Sequence, residues 1–423
     1  MAHHHRGTAL RFAALVSSGR GSLIAFLAVL GPGLLAGLSD DDPAGITTYS
    51  VLGADFGYTL LWIIPASTIL LVQFHLMAVR IGAATGKGFV GVIRARWGHR
   101  AGYAAVVGLL LANFGTICAE YAGISAAGGL VGIPSWVSVP LAGVLIALVL
   151  VLGSFHRIER VLLVISSTLA LYIVDGILAH PDWGAVARHS LIPSLPTSRA
   201  GVVAIAAALG TTLAPWGLAF IQSYAVDKKI TMASLRWARV DVIIGSVLTG
   251  VIGLAIAVAC AATLHQAGVH IADAGDAAKA LQPLAGRFAT VLFGAGLLGA
   301  SLLAAAVVPI ATAYSMAEGV GEAASLDLDS RHFQWFYAAF VLLTVAAVSV
   351  VSLPGLPLVP LIYASQVVNA VLLPLHLIML QLLVSDVTLV GAARPSRRSR
   401  AAGWLSIGLV SVCVGALVWS WLR

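Results

Sequence analysis

The chain has 423 residues, 60% of them hydrophobic and 10% charged, and its mean hydropathy is +0.99. Soluble domains carry about 25% charged residues, so 24 basic and 17 acidic side chains are too few to cover a globular surface of this length. The formal charge of +7 does not point to nucleic acid, because the basic residues are spread among the short segments between apolar runs.

Eleven apolar runs follow one another, each able to cross about 30 Å of hydrocarbon as a helix. They cover 22–53, 57–81, 102–131, 135–153, 159–180, 199–226, 240–264, 286–316, 334–353, 357–385 and 402–421. The first, third, sixth and eighth are too long for straight crossings and are expected to tilt, break or extend beyond the bilayer. The runs are apolar on all sides and lack the two-residue alternation of a barrel, so the fold class is an all-α integral membrane protein with about eleven spans.

The loops are short. Pro181-Asp182-Trp183 and Ile192-Pro193-Ser194 read as irregular external structure, and 272–280 as a short amphipathic helix. Nineteen of the 24 basic residues fall on one side, among them Arg80, Lys87, Arg94, Arg157, Lys228, Arg331 and Arg394, and five on the other: Arg188, Arg199, Lys279, Arg287 and Arg423. The positive-inside rule then places the amino terminus in the cytoplasm, in a multi-pass protein of the cytoplasmic membrane. The lipid bilayer is its first partner, and Arg394-Pro-Ser-Arg-Arg-Ser-Arg400 is placed to touch anionic headgroups. The tail 1–21, with His3-His4-His5, reads as an inert cytoplasmic end. Cys118, Cys260 and Cys413 lie in apolar runs and read as small buried hydrophobes.

Two positions look alike. Span one contains Asp42-Pro43-Ala44-Gly45 and span six contains Ala214-Pro215-Trp216-Gly217. Proline removes a backbone donor and glycine adds freedom, so each tetrapeptide is suited to unwinding a helix. Five spans between matched breaks make a second copy inverted in the membrane, an arrangement of secondary transporters that bind substrate between two discontinuous helices. The expected organisation is a first repeat over 22–180, a second over 199–385, and a basic loop with an additional helix over 386–423.

A carboxylate at mid-membrane costs about 2.5–3.5 kcal/mol on insertion scales, so Asp40, Asp41 and Asp42 together require compensation. Asp42 precedes the proline where freed carbonyls gather, and carboxylate with carbonyl oxygens forms a site for a hard cation. The half-helix beginning near Gly45 points its positive end at the same place. Glu120, deep in span three, reads equally as a proton carrier or as a neutral acid hydrogen-bonded to another helix. Asn113, Gln222, Gln366 and Asn369 are candidates to line a polar cavity, and His75 and His376 read as packing or interhelical hydrogen-bonding groups. No nucleophile–base pair and no closed zinc motif points to an enzyme.

Gly31-Pro-Gly-Leu-Leu-Ala-Gly, Asp42-Pro43, Phe56-Gly-Tyr-Thr-Leu-Leu-Trp62, Thr85-Gly-Lys-Gly-Phe89, Ala119-Glu120, Gly210-Thr-Thr-Leu-Ala-Pro215, Ala313-Tyr-Ser-Met-Ala-Glu318-Gly and the stretch from Gln366 to Pro374 occur in this order. In that order the sequence resembles the natural resistance-associated macrophage protein (NRAMP) family of divalent metal transporters. The resemblance implies the leucine-transporter fold, a 5+5 inverted repeat with helices one and six broken and metal bound between the breaks. Where the family reads Asp-Pro-Gly-Asn, this chain places Gly45 in the asparagine position. Where it reads Met-Pro-His, Ala214 and Trp216 stand instead. Loss of the methionine sulfur removes a ligand that favours transition metals over Mg²⁺, a loss shared with the NRAMP-related magnesium transporters. Glu120 matches an acid of the family's proton route, while the aspartate position three residues earlier is Ile117.

The implied cargo is a divalent cation, Mn²⁺ or Mg²⁺ with Fe²⁺ a further candidate, moved by alternating access without a resident cofactor. Asp42 is the expected principal ligand, supported by Asp40, Asp41 and backbone carbonyls near Ala44, Gly45, Thr211 and Ala214. Glu120 and Trp216 are the expected proton-coupling or gating residues. The alternative cargo is a small cationic or zwitterionic organic solute, with Asp42 as counter-charge and Trp216 as a cation–π wall.

Overall fold

The structure is a computed structural model that describes residues 32–152, 171–196, 198–272, 274–278, 286, 289–322 and 334–422. The amino-terminal tail, residues 22–31 of span one, Arg157, residues 159–170 of span five, Lys279, Arg287, Arg331 and Arg423 lie outside the described residues.

Every regular element among the described residues is helical. Span one is two helices, α1 (Pro32–Asp40) and α2 (Pro43–Phe56). Span two is α3 (Ile63–Thr85), followed by a short α4 (Phe89–Trp97). Spans three and four are α5 (His99–Leu130) and α6 (Ser135–Leu152), and the described part of span five is α7 (Leu171–Leu178). After an external α8 (Trp183–Leu191), span six again forms two helices, α9 (Arg199–Thr212) and α10 (Pro215–Asp227). Span seven is α11 (Leu235–Cys260), which runs into a π-helical turn over Ala261–His265. A short α12 (Ala274–Ala278) precedes α13 (Ala289–Val320), α14 (Gln334–Val351) and α15 (Leu358–Ser385), which are spans eight to ten. A one-turn α16 (Val387–Val390) leads to span eleven, α17 (Arg397–Leu422). Seven helical segments among the described residues are long and apolar enough to cross a membrane, covering spans two, three, six with its two halves taken together, seven, eight, ten and eleven, while spans four and nine appear as shorter apolar helices.

Of the four over-long runs, one and six break, whereas three and eight remain continuous helices of 32 residues each. Two of the loop helices that were not read from sequence have clear local causes. Asp182 starts α8 by accepting from the Ala185 N–H at 3.0 Å, so Pro181-Asp182-Trp183 is a helix start rather than irregular chain. The other, α4, places Arg94 and Arg96 in its last turn, against the carbonyl end of its dipole, and stops at Gly98, whose φ of 86° favours glycine. The expected helix near 272–280 is present as α12.

The broken helices run antiparallel: α10 packs on α1, and α9 packs on α2. Span one also lies close against α11, where a Cβ on Gly33 would stand 2.5 Å from the Val242 Cα. Across the same contact Thr249 donates to the Gly37 carbonyl at 2.6 Å. Span three packs along both α13 and α15, which brings Glu120 beside the break in span one.

Candidate functional site

Both breaks occur immediately before a proline, and in each the proline is the first residue of the second half-helix. Neither proline has an N–H to give, so the carbonyls four residues earlier, on Ser39 and Thr211, lose their helical donors. The second half of span one begins at Pro43, two residues before the expected start. Asp42 caps it, taking the Gly45 N–H on Oδ1 at 2.7 Å with the Ala44 N–H directed at the same carboxyl. Ala214, the corresponding residue of span six, makes no side-chain cap. The halves are tied across the breaks by Thr212, whose hydroxyl meets Tyr49 Oη at 2.8 Å and Ser67 Oγ at 3.1 Å.

Asp40, Asp41, Asp42 and Glu120 are all buried. Glu120 brings its carboxyl against that of Asp42, within hydrogen-bonding reach. Both oxygens of Asp41 and Oδ2 of Asp40 are without a hydrogen-bond partner. Two ion pairs between described residues, Arg96 with Asp386 and His270 with Asp55, involve none of these four acids. Among the described residues no three His, Cys, Asp or Glu side chains converge as a metal-holding group, so the three aspartates do not form one joint ligand cluster. Carbonyls and water must complete any shell built on Asp42.

A Cβ on Gly45 would stand 2.6 Å from the Asp40 carbonyl oxygen. The position that bears asparagine in the family motif therefore has no room for a side chain here. Trp216 is fully buried, its ring 6.3 Å from that of Phe220 and its indole Nε1 without a partner. Asn113 donates to Thr312 at 2.8 Å, and Asn369 donates to Thr116 at 3.0 Å and to Gln366 at 3.1 Å, so these three expected cavity residues join spans three, eight and ten. Gln222 is elsewhere: two turns along α10, it donates to the Lys87 carbonyl at 3.1 Å.

Gln222 belongs to a second polar layer that sequence reading missed. Glu318, on α13, accepts from Ser223 at 2.7 Å and from the Gly91 N–H at 3.1 Å, capping the start of α4. Tyr314, one turn earlier, donates to Asp227 at 2.6 Å. Glu120 is also not the only further acid buried in a span. Asp175 is buried in α7, and Asp241, buried in α11, accepts from the Gly33 N–H at 2.6 Å and so caps α1. A carboxylate placed one turn from a helix end was the available signal for Glu318. Two cavities open at opposite ends of α5, one of about 460 Å³ beside Ser125–Ser135 and Leu358, the other of about 570 Å³ beside Lys87, Arg94 and Glu318. Neither is lined by a break residue.

The family model described as natural resistance-associated macrophage protein-like matches residues 33–420. The divalent metal cation transporter MntH of Pectobacterium carotovorum subsp. carotovorum (strain PC1) is 32% identical over 297 residues, covering 68% of this chain and 71% of the relative. The fold is similar to that of the manganese transporter of Eremococcus coleocola, with a TM-score of 0.75 at 22% identity over 95% of this chain and 89% of that one. It is also similar to that of a nucleobase-cation-symport-1 family transporter, with a TM-score of 0.55 at 15% identity over 92% of each chain. The all-helical architecture with its antiparallel pair of broken helices is thus the leucine-transporter-like 5+5 inverted repeat. With the family model spanning both breaks and nearly the whole described chain, this protein belongs to the Nramp family.

Proposed function

We propose that this protein is a secondary transporter, not an enzyme, that carries a divalent metal cation across the cytoplasmic membrane by alternating access, with its amino terminus in the cytoplasm. The observation that carries the reading is the gathering of buried acidic oxygens without partners at the span-one break, on Asp40 and Asp41, beside the adjoining carboxyls of Asp42 and Glu120. Buried charge persists only where something pairs with it, and a cation passing between the breaks is such a partner. Asp42 supplies the principal charge and the Thr211 carbonyl, freed by Pro215, an oxygen from the opposite side. Glu120, against Asp42, is placed to carry a proton in exchange.

The curated relative is described as a divalent metal cation transporter, and the solved neighbour as a manganese transporter, which supports Mn²⁺ as the cargo to test first. Mg²⁺ and Fe²⁺ are the next candidates. An organic solute would need the room that the buried Trp216 ring fills. The experiment is uptake of Mn²⁺, Fe²⁺ and Mg²⁺ into proteoliposomes, with and without a pH gradient, for the wild type and Asp42→Ala. Uptake of at least one ion that Asp42→Ala abolishes is expected, and the absence of uptake for all three would overturn the reading. Stimulation by an inward proton gradient, lost in Glu120→Gln, tests the coupling.

A further inference from the structure

The two histidines inside spans are used differently. His376 places Nδ1 at 2.9 Å from the Leu372 carbonyl and packs its ring 6.4 Å from Phe89, while its buried Nε2, without a partner, faces Gly108. His75, on α3, is 1% exposed and its Nδ1 has no partner. Its Nε2 is directed at Gly217, in the first turn of α10. The point where a Cβ on Gly217 would stand is 3.5 Å from His75 Nε2 and 3.5 Å from Asp40 Oδ1. An imidazole nitrogen from span two and a carboxylate oxygen from span one thus face the space left by a missing side chain on span six.

The other Asp40 oxygen and the neighbouring Ser39 hydroxyl are buried without partners. A nitrogen and an oxygen donor that converge in this way suit first-row transition metals, whereas Mg²⁺ prefers oxygen alone and retains its water. We propose that His75 and Asp40 form a nitrogen-bearing subsite for the transported cation, which selects a transition metal such as Mn²⁺ over Mg²⁺ in place of the absent methionine sulfur. The proposal rests on the divalent-cation reading above. Only two side chains contribute, in keeping with the absence of a three-residue His, Cys, Asp or Glu group among the described residues, and water and carbonyls complete the shell.

The test uses the full chain in nanodiscs with Mn²⁺ and Mg²⁺ as probes. Pulsed electron paramagnetic resonance of bound Mn²⁺ is expected to report a coupled ¹⁴N nucleus in the wild type that disappears in His75→Gln. Isothermal titration is expected to give Mn²⁺ affinity weakened about 10–100-fold in His75→Gln, with Mg²⁺ affinity unchanged. Gly217→Ala is a second route, because its methyl would sit in ordinary van der Waals contact with both donors and fill the space between them without a clash. It should weaken Mn²⁺ selectively as well. A wild-type signal without nitrogen coupling, coupling that survives His75→Gln, or equal loss of both ions in the variants overturns the subsite while leaving the cation reading intact. If neither ion binds the wild type, the cation reading falls first and the subsite with it.

Discussion

The two helix breaks share a backbone and differ in chemistry. Each ends before a proline, restarts with that proline as first residue, and frees a carbonyl four residues back. At span one an aspartate caps the restart and three more carboxyls crowd near it; at span six an alanine caps nothing and a tryptophan fills the space. The difference teaches that the repeat sets the backbone of both breaks alike, while charge comes from one half and shape from the other; under the proposed function the ion stands between them.

The largest expected effect comes from removing the charged half. Asp42→Asn keeps a side-chain oxygen for the Gly45 N–H but removes the formal charge, so uptake should vanish with thermal stability nearly unchanged. Asp42→Ala removes the cap as well, at about 1 kcal/mol. Uptake and thermal unfolding measured together separate the two roles. Transport by Asp42→Asn at the wild-type rate would break the comparison. Next in size is Gly45→Asn, which restores the family's motif residue. Because the Asp40 carbonyl occupies the space, the substitution should lose uptake and cost about 1–3 kcal/mol of stability rather than add a ligand. A gain in metal affinity would show that the first break can open to accept the side chain.

Thr212→Val tests the link between the breaks. It leaves the buried hydroxyls of Tyr49 and Ser67 without their shared partner, although Ser67 retains the Ile64 carbonyl at 3.0 Å. An expected cost of about 1–2 kcal/mol is readable by thermal unfolding, with uptake slowed less than in Gly45→Asn.

Much of the fold was legible because hydrocarbon imposes it. Apolar length located the spans, and the matched prolines located both breaks to within two residues. The candidate site was legible only where a residue announces its own cost, as Asp42 and Glu120 do in an apolar run. The role of Gly45 was not, since a glycine letter does not say that a carbonyl stands over it. Gln222 was misplaced because amide side chains look the same at a central cavity and at a helix end two turns away. Glu318, quoted in a motif, gave no hint that it caps α4, a contact across 227 residues of sequence. Nor does His75 differ from His376 until the surroundings of each ring are seen, His75 Nε2 sharing the space at Gly217 with Asp40 and His376 Nε2 facing Gly108.

The smallest effect lies at Asp386, a second capping aspartate that completes the comparison with Asp42. It starts α16 by accepting from the Thr388 N–H at 2.8 Å and Oγ1–H at 2.7 Å, and it meets Arg96 Nε at 2.6 Å. Hydrogen bonds from Thr388 and from the Arg96 guanidinium lower its carboxyl from the ordinary 3.8 to about 2. A carboxyl lowered on folding contributes stability above its unfolded pKa and loses it as pH falls through the folded value, so this contribution is full above pH 3.8 and fades toward about 2. Arg96 is half exposed, and screening should hold the contribution below about 1 kcal/mol. Asp386→Asn should therefore lower the unfolding temperature slightly at neutral pH, converge with the wild type near about pH 2, and leave metal uptake unchanged. The same residue type in the same capping role thus acts locally at Asp386, where Arg96 and Thr388 satisfy it, whereas at Asp42, where carboxyls surround it, the proposed function leaves the charge to a passing cation.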